Sequence, residues 1–559
     1  MVRRLALLAL SAALALSCKH DATPALHGGS ESPVSAPATL IAEGTLRDPD
    51  AFWSRLRKGG GVALARAHDT AAGAFLAWVG ADPGVAPLVA GDHPFHVVLG
   101  ATPDGVAFAL AMKLKDVDHV RGALVEGDTA PYRSEDVGGM TRLVPVEGPA
   151  PTLALAIAGA GYLVVASSAD DLATLGPYAA RTMPTKPLPV SSFELRADPL
   201  ALDRAGKRAP DFAGRATGAI AATARGVLPR EVDAGAFAGC FTPGMEETLA
   251  TAGDLAEARV NADADEAQLD VVATLVPKPG DSGARRRLDA MHLASAAALL
   301  DAPRDALAAL FWSDTAQVRA DDASTMGPCL GKALAPLLGP GGEQKLAAVL
   351  ASWAHGRGDW ETASFLAKPA LAGLVVRAPV TDAVAMSASV RGCVDLASQP
   401  ALGDAVQRLL PLRAGEVQTV DVPRVGKASL VIFPSHAAPT RGTTEPQVVT
   451  TDLAPAGLAW FVDAKEADIA VGQAPQDLLG LAKPAAGLRT SAAVARAVGA
   501  LGAEASFAAV IVPPGCCAGV APGAAPLTVG WGRKGGNGWL SVVIGDEVLG
   551  QIGARVTAQ

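Results

Sequence analysis

The clearest pattern along the chain is an alternation of apolar with small or polar residues that changes into helical spacing. Within residues 106–114 every second residue is large and apolar, which places one face of a strand in a core. Asp116 then stands where a helix N-cap is expected, and Val117, Val120 and Leu124 recur at helical spacing. This stretch therefore predicts a strand followed directly by an amphipathic helix.

The same order of elements recurs, usually as two strands and then a helix. Residues 153–158 and 162–167 flank a glycine-containing turn, Ser168 is a good N-cap, and Asp170 and Asp171 suit the positive end of a helix dipole. Three further stretches show this order: 257–264 and 269–275 before a helix opened by Ser282, 458–463 and 468–472 before a helix at 475–483, and 527–531 and 539–544 before a helix from Asp546. The chain thus predicts a repeated strand-strand-helix unit.

One uncharged stretch, residues 148–169, has the hydropathy of a membrane span. Gly159, Ala160 and Gly161 lie in its middle, at a natural turn position between two short apolar runs. Two strands joined by a tight turn account for this pattern better than a helix does. We therefore predict a hairpin at this point.

Repeated ββα units favour an α+β architecture, with antiparallel sheets and helices packed on one face. Residues 161–172 align by eye with residues 467–478, which is consistent with internal duplication. We predict two α+β domains, at residues 46–250 and 251–559. The second can be subdivided near Lys368, after a helix-rich stretch.

The N-terminus has the marks of a secretory signal. Arg3 and Arg4 precede an apolar run over residues 5–16, which only Ser11 interrupts. This run is much shorter than the ~20 residues that a membrane-spanning helix needs. Residues 1–17 therefore predict a removable signal peptide.

Residues 14–18 resemble the lipobox of bacterial lipoproteins, with a good match at Ser17 and Cys18 and a slight departure before them, where Ala15 stands between Leu14 and Leu16. The resemblance implies cleavage between Ser17 and Cys18 and acylation of Cys18, which would anchor the protein to a lipid bilayer. Lys19 in place of aspartate implies sorting to the outer membrane, facing the periplasm or the cell surface. The alternative is an ordinary signal peptide in which Cys18 is incidental. Residues 18–45 predict a flexible tether.

The amino-acid composition limits the classes of partner that the protein can bind. The formal net charge is −9, and loss of Arg3 and Arg4 leaves 45 basic against 56 acidic residues, a charge of −11. A surface of this sign repels phosphate backbones, so nucleic-acid binding is not expected. Aromatic residues make up only 4%, which counts against stacking platforms for bases or sugars.

Five cysteines remain after Cys18, an odd number that allows two disulfides and one free thiol: Cys240, Cys329, Cys393, Cys516 and Cys517. Adjacent cysteines rarely bond to each other, so the best guess pairs Cys393 with Cys516 or Cys517. A zinc site is the alternative, but no C-x-x-C spacing supports it.

Two constellations could hold a metal. His93 and His96 lie close together, but Pro94 interrupts regular helix geometry and no third ligand is near, so we interpret them as surface histidines. Asn261, Asp263 and Asp265 have the spacing of the first ligands of a calcium loop. However, this stretch lacks the glycine and the bidentate glutamate that such a loop needs. We interpret these three as the solvated face of a strand. We predict no metal site.

Three further motifs have simpler interpretations than chemistry. Ser282 lies in a Gly-Asp-Ser-Gly stretch typical of serine proteases, but it fits better as the cap of a turn before a helix. The segment 327–332 is one residue too short for a phosphate loop and lacks the hydroxyl that holds magnesium. Residues 357–359 spell an adhesion tripeptide by chance, and the neighbouring His355 is expected to be solvated.

Taken together, the order of the elements resembles that of uncharacterised lipoproteins of high-GC Gram-negative bacteria built from repeated sheet-and-helix units. The resemblance is architectural and implies no catalytic residue and no cofactor. We expect a non-enzymatic, membrane-anchored envelope lipoprotein that acts as a binding or structural module, with envelope proteins as candidate partners. The alternatives are an envelope hydrolase with a site assembled from distant residues, and an envelope-assembly factor or chaperone with an exposed apolar groove.

Overall fold

The structure is a computed structural model of the chain. It describes residues 32–59, 68–79, 83–102, 105–126, 130–146, 153–228, 230–265, 267–368, 371–397, 416–433, 456–484, 487–501, 504–512, 525–546 and 548–550. Among these residues, no helix combines the length and the apolar character needed to cross a membrane.

The chain forms mixed α and β structure in two compact units. The first unit comprises residues 1–209, 249–285 and 544–559, and the second comprises residues 210–248 and 286–543. The predicted boundary between residues 250 and 251 differs from this division. The reason is that the hairpin after residue 254 completes the sheet of the first unit by pairing with a strand at 193–197.

The strands are β1 Leu40–Leu46, β2 Phe95–Thr102, β3 Gly105–Lys113, β4 Tyr132–Val137, β5 Met140–Pro145, β6 Ala154–Ala158, β7 Tyr162–Ala166, β8 Phe193–Ala197, β9 Leu255–Ala264, β10 Gln268–Pro277, β11 Ala308–Ser313, β12 Trp360–Lys368, β13 Leu371–Pro379, β14 Gln418–Val422, β15 Gly426–Phe433, β16 Ala456–Val462, β17 Glu466–Gln473, β18 Phe507–Ile511, β19 Leu527–Lys534 and β20 Asn537–Gly545.

The α-helices are α1 Pro49–Gly59, α2 Ala71–Val79, α3 Val117–Val125, α4 Ala169–Pro177, α5 Pro199–Lys207, α6 Ala209–Val227, α7 Ala234–Gly239, α8 Thr242–Ala250, α9 Gly283–Ala290, α10 Ala316–Ala333, α11 Ala335–Leu338, α12 Gly342–Gly356, α13 Ala383–Ala397, α14 Pro475–Gly480 and α15 Ala492–Ala500. Short 3-10 helices include Pro83–Leu88, Ala296–Asp301 and Leu488–Thr490.

The two units have the same strand order. In the first unit, antiparallel pairing gives the order β4-β5-β6-β7-β3-β2-β1-β8-β9-β10. In the second unit, the order is β14-β15-β16-β17-β13-β12-β11-β18-β19-β20. Along the chain, the corresponding elements also follow one order: a central strand, two main helices, a hairpin, one more helix, four strands and a short helix.

Helices cover both faces of the first unit's sheet. Helices α2 and α3 pack on one face through Leu76, Val120 and their neighbours, against large residues of β3, β6 and β7. Helix α4 packs on the other face through Leu172 and Leu175, against a layer of alanines from the same strands. Small residues on that face let the helix approach the sheet closely.

The second unit repeats this arrangement with different residues. Helix α13 packs through Val390 and Val394 against Trp460 and Ile469, and α14 packs through Leu478 and Leu479 against the opposite face. The prediction of helices on one face only was therefore wrong, because strands that are apolar on both sides need a cover on both sides.

Local features of the sequence are confirmed where they depend on near neighbours. The carboxylate of Asp116 accepts a hydrogen bond from the backbone N–H of His119, and Ser168 Oγ accepts one from Asp171. β6 and β7 form the predicted hairpin, and Gly161 in its turn has a φ of +80°, where only glycine is free of strain.

The predicted tether was too long at its C-terminal end. β1 begins at Leu40 and pairs with both β2 and β8 in the middle of the first unit's sheet. Ile41 and Ala42 are buried, so these residues belong to the core. The run of small residues before them hid the start of the strand.

Candidate functional site

Three polar side chains lie side by side across the second unit's sheet. Thr362 of β12 is paired with Arg377 of β13, which is paired in turn with Asp468 of β17. Residues directly opposite each other in antiparallel strands share a face, so these three face the same way. They lie at the end of the sheet face on which α14 packs.

Two more charged residues complete this group, which we call the Arg377 cluster: Arg377, Glu466, Asp468 and Lys483. Arg377 Nη2 donates to Glu466 Oε2 at 3.0 Å, and the other oxygen of Glu466 is bound by Lys483 Nζ. Lys483 Nζ also lies 4.0 Å from Asp468 Oδ2 and 5.2 Å from the centre of the Phe461 ring. Both oxygens of Glu466 are thus occupied by cations.

Asp468 is the unusual member of the cluster. Its side chain is fully buried, and neither carboxylate oxygen has a hydrogen-bond partner within the described residues. The nearest cation is Arg377 Nε, at 3.7 Å from Oδ1. Burial raises the pKa of Asp468 to about 6, and the charge of Glu466 adds to this rise, against the pull of Arg377 and Lys483.

Glu466 is affected in the opposite direction. Burial alone would raise its pKa, but the hydrogen bonds from Lys483 and Arg377 outweigh that effect and hold the pKa below its ordinary value. The cluster therefore contains one carboxylate that is firmly ionised and one that is close to neutralisation. A buried charge without hydrogen bonds is expensive, so such an arrangement marks a site worth testing for function.

A cavity of about 120 Å³ lies beside Arg377. Its wall includes Trp360, Thr362 and Ser364 of β12, Arg377 of β13, and apolar residues from the 3-10 helix and from the segment after α14. Small concave sites with an apolar wall and a few convergent polar groups are the usual form of a ligand pocket.

The polar atoms around this cavity are mainly hydrogen-bond donors. Arg377 uses Nη2 on Glu466, and its Nη1 has no partner among the described residues. The hydroxyl of Ser364 also has no hydrogen-bond partner within the part of the chain that the structure describes. Thr362 Oγ1 makes only a long contact of 3.5 Å to the Arg377 carbonyl. The arrangement can therefore accept a ligand that carries hydrogen-bond acceptors.

The first unit has a different group at the corresponding strand position. Lys113 of β3 is paired with Tyr162 of β7, and Lys113 Nζ lies 4.9 Å from the tyrosine ring centre. His96 is buried beside them, with Nδ1 3.1 Å from Thr45 Oγ1. Burial lowers the pKa of His96 to about 4, so its ring is neutral at physiological pH.

A second ionic group lies at the end of β11. Asp314 is bound by two buried arginines, Arg319 at 3.0 Å and Arg357 through Oδ2. Arg357 Nη1 lies 3.4 Å from Glu361, whose pKa burial raises to about 7, against the charge of Arg357. These residues join β11, α10, α12 and β12, which indicates a structural role.

The predicted pair of surface histidines was half wrong: His93 is exposed, but His96 points into the core. Asn261 and Asp263 lie on β9 and accept hydrogen bonds from Ser191 and Ser192. They therefore fix the loop before β8.

Two motifs are confirmed as structural. Ser282 Oγ accepts a hydrogen bond from the N–H of Arg285 at the start of α9. The segment 327–332 lies in α10, where a Cβ on Gly331 would come within 2.8 Å of the Glu343 side chain on α12. Its glycines therefore serve helix packing.

The adhesion tripeptide is also ruled out as a free motif, since Arg357 is buried, while His355 is exposed as expected. The described residues contain no group of three or more histidine, cysteine, aspartate or glutamate side chains that could hold a metal ion.

The cysteines are arranged differently from the prediction. Cys240, just after α7, forms a disulfide with Cys329 of α10, and Cys393 is a free thiol. The guess that Cys393 pairs with Cys516 or Cys517 was therefore wrong. Sequence spacing could not reveal that two helices bring Cys240 and Cys329 together. Ser17, Cys18, Cys516 and Cys517 lie outside the described residues.

Sequence reasoning missed the Arg377 cluster. One signal was present: Glu466 and Asp468 occupy alternate positions of an otherwise apolar strand, so both charges fall on one face. Arg377, which lies opposite Asp468, is 91 positions earlier in the chain, and only strand pairing shows that the two meet.

Comparisons of the chain with protein-family models, with curated proteins and with solved structures gave no match.

Proposed function

We propose that the chain is an exported lipoprotein, anchored through Cys18 in the outer membrane of a bacterial envelope, whose folded part binds a ligand rather than catalysing a reaction. The observation that carries export is the Cys240–Cys329 disulfide, because disulfides persist mainly in oxidising compartments. The N-terminal signal and lipobox are consistent with that compartment. The cavity beside Arg377 supports ligand binding.

We further propose that the chain arose by duplication of a scaffold assembled from repeated ββα units. The identical strand order of the two units supports this proposal. The segments that align in sequence, 161–172 and 467–478, also occupy the same place in that order, since each contains a strand (β7 or β17) and the start of the helix after it.

The anchor is tested by intact mass and labelled-lipid incorporation on the protein expressed in a Gram-negative host. We expect the wild type to carry acyl groups on an N-terminal Cys18 and Cys18→Ser to carry none. Cys393→Ser is the matched control, because it removes a free thiol elsewhere and should leave lipidation unchanged. An unmodified wild type would show that the protein is not anchored in this way.

Sorting to the outer membrane is tested separately by membrane fractionation of cells that express the wild type or Lys19→Asp. By the lipoprotein sorting rule, we expect the wild type in the outer membrane and the variant in the inner membrane. A variant that stays with the wild type would contradict outer-membrane sorting through this position. Substrate turnover by the purified wild type in a broad hydrolase screen would contradict a purely binding role and favour an envelope hydrolase.

A further inference from the structure

The cavity beside Arg377 defines which chemistry a ligand must have. The free polar atoms in its wall are Arg377 Nη1 and the hydroxyl of Ser364, both of which can donate. Two nearby acceptors are already used or inaccessible: Glu466 is bound by two cations, and the Asp468 oxygens are sealed from solvent. Asp301 at the wall is partly exposed and pairs with Arg489 through Oδ1. The site therefore favours an acceptor-bearing ligand over a cation.

The charges around the cavity limit the charge that the ligand can carry. One guanidinium faces the cavity, and two carboxylates, Glu466 and Asp468, lie directly behind it. A monoanion can pair with this one guanidinium, whereas the second charge of a dianion such as phosphate would have no cation of its own and would face the two carboxylates. The two oxygens of a carboxylate can accept from two separate donors, one from Arg377 Nη1 and one from the Ser364 hydroxyl. The ligand is thus expected to carry one carboxylate.

Size and wall composition define the rest of the ligand. The cavity of about 120 Å³ is somewhat smaller than the ~150 Å³ cavity that accommodates benzene in another protein. The rest of the wall includes Trp360, Pro303 and Val375, which suit an alkyl chain. There is room for about five or six non-hydrogen atoms in all.

We propose that this cavity is a binding site for a short-chain monocarboxylate, held by Arg377 Nη1 and the Ser364 hydroxyl, with its alkyl chain against Trp360. Glu466 and Asp468 act as positioning residues, because they hold the other side of the guanidinium. This inference rests on the proposal that the folded part binds a ligand, and it is independent of the lipid anchor.

The test is calorimetric titration of the full-length protein in detergent with sodium propionate. We expect saturable binding of one propionate, with a dissociation constant between about 1 µM and 10 mM, as its few atoms allow. Propionamide, the neutral analogue, should bind at least about 10-fold more weakly, since it lacks the charge that pairs with Arg377. Inorganic phosphate should bind more weakly still.

Variants locate the site. Arg377→Gln should weaken propionate binding at least about 10-fold, and Ser364→Ala about 3-fold or more. Lys113→Gln is the matched control, because Lys113 occupies the corresponding strand position in the first unit and should leave binding unchanged. Should Arg377→Gln fail to fold, Ala298→Leu fills the cavity without touching a charge and should abolish binding.

Four results would overturn the proposal: no binding of propionate up to about 10 mM, equal binding of propionamide, unchanged binding in a folded Arg377→Gln variant, or unchanged binding in Ala298→Leu. None of them bears on Cys18, whose acylation is measured by mass. Failure of the carboxylate site is therefore distinguishable from failure of the anchor.

Discussion

The two units place different chemistry on one strand plan. Where the first unit has Lys113 against the ring of Tyr162, with neutral His96 nearby, the second has Arg377 against the buried carboxylate of Asp468. Each pair joins two equivalent strands, β3 and β7 in the first unit and β13 and β17 in the second. The same strand pairing therefore forms with different polar side chains at this position. These side chains are thus free to serve a function in one unit.

The helix that follows these strands shows a second difference. α4 is capped by Ser168, whereas Ala474 occupies the N-cap position of α14 with a left-handed φ of +47° and no side-chain cap. The leucines by which the two helices pack on their sheets, Leu172 and Leu478, are fully buried. The buried contact is thus common to both units, while the local cap is not, which indicates that burial holds the helix in place.

The largest expected difference between the units comes from the disulfide, because both cysteines belong to the second unit. The bond spans 89 positions, and closing a loop of that length in the unfolded state stabilises the folded state by about 4.6 kcal/mol. We expect the double variant Cys240→Ala with Cys329→Ala to destabilise the second unit by about that amount. Hydrogen exchange resolved by peptide, with Cys393→Ala as control, should show unchanged protection in the first unit.

The matched leucines come next. Leu172→Ala and Leu478→Ala each leave a cavity in a packed layer, and each should cost about 3 kcal/mol. Each variant should lower the free energy of unfolding of its own unit only, as measured by hydrogen exchange during a urea titration. Leu188→Ala, at a side chain that is 53% exposed, is the control and should cost less than about 0.5 kcal/mol. Equal loss of protection in both units would show that they unfold together.

Acid should act on the two polar groups in opposite directions. The pKa of His96 is lowered from 6.5 to about 4, so its contribution to stability is present above pH 6.5 and is lost as the pH falls towards 4. The pKa of Asp468 is raised from 3.8 to about 6, so its contribution is present below pH 3.8 and is lost as the pH rises through 6.

We therefore expect that acidification from pH 7.5 to 4.5 costs the first unit about 2 kcal/mol through His96 and favours the second by a similar amount through Asp468. Urea titrations at both pH values, read by pulse-labelling hydrogen exchange, measure this. His96→Gln should flatten the pH dependence of the first unit. Asp468→Asn should remove only the share of Asp468 in the second unit, because Glu361, whose pKa is raised to about 7, adds a further share of the same sign. If the wild-type slope persists in Asp468→Asn, the carboxylate is not the titrating group.

The helix starts give the smallest effect. Ser168→Ala removes the cap of α4 and should cost about 1 kcal/mol. Ala474→Gly should instead stabilise the second unit by about 1 kcal/mol, because glycine adopts a positive φ without the clash of a Cβ. Thermal unfolding of the two variants should therefore shift in opposite directions. A loss of stability in Ala474→Gly would show that strain at this residue is negligible.

Predictability differed sharply between kinds of feature. The caps at Asp116 and Ser168 and the hairpin at Gly161 could be predicted because each depends on residues a few positions apart. The burial of His96 and the pairing of Arg377 with Asp468 could not, since each depends on which strand lies alongside. The start of β1 was missed because small residues before a strand resemble a linker.

The sequence by itself determined the local elements: the alternation that forms strands, the caps that begin helices, and the glycines that turn hairpins. It also predicts the export signal and the lipid anchor at Cys18. Only the tertiary structure decided that the strand order is repeated, that helices cover both faces, that Cys240 meets Cys329, and that a cavity opens beside Arg377. Local rules act over a single turn or hairpin, whereas these features arise from packing between segments tens of residues apart, where many pairings satisfy the same alternation.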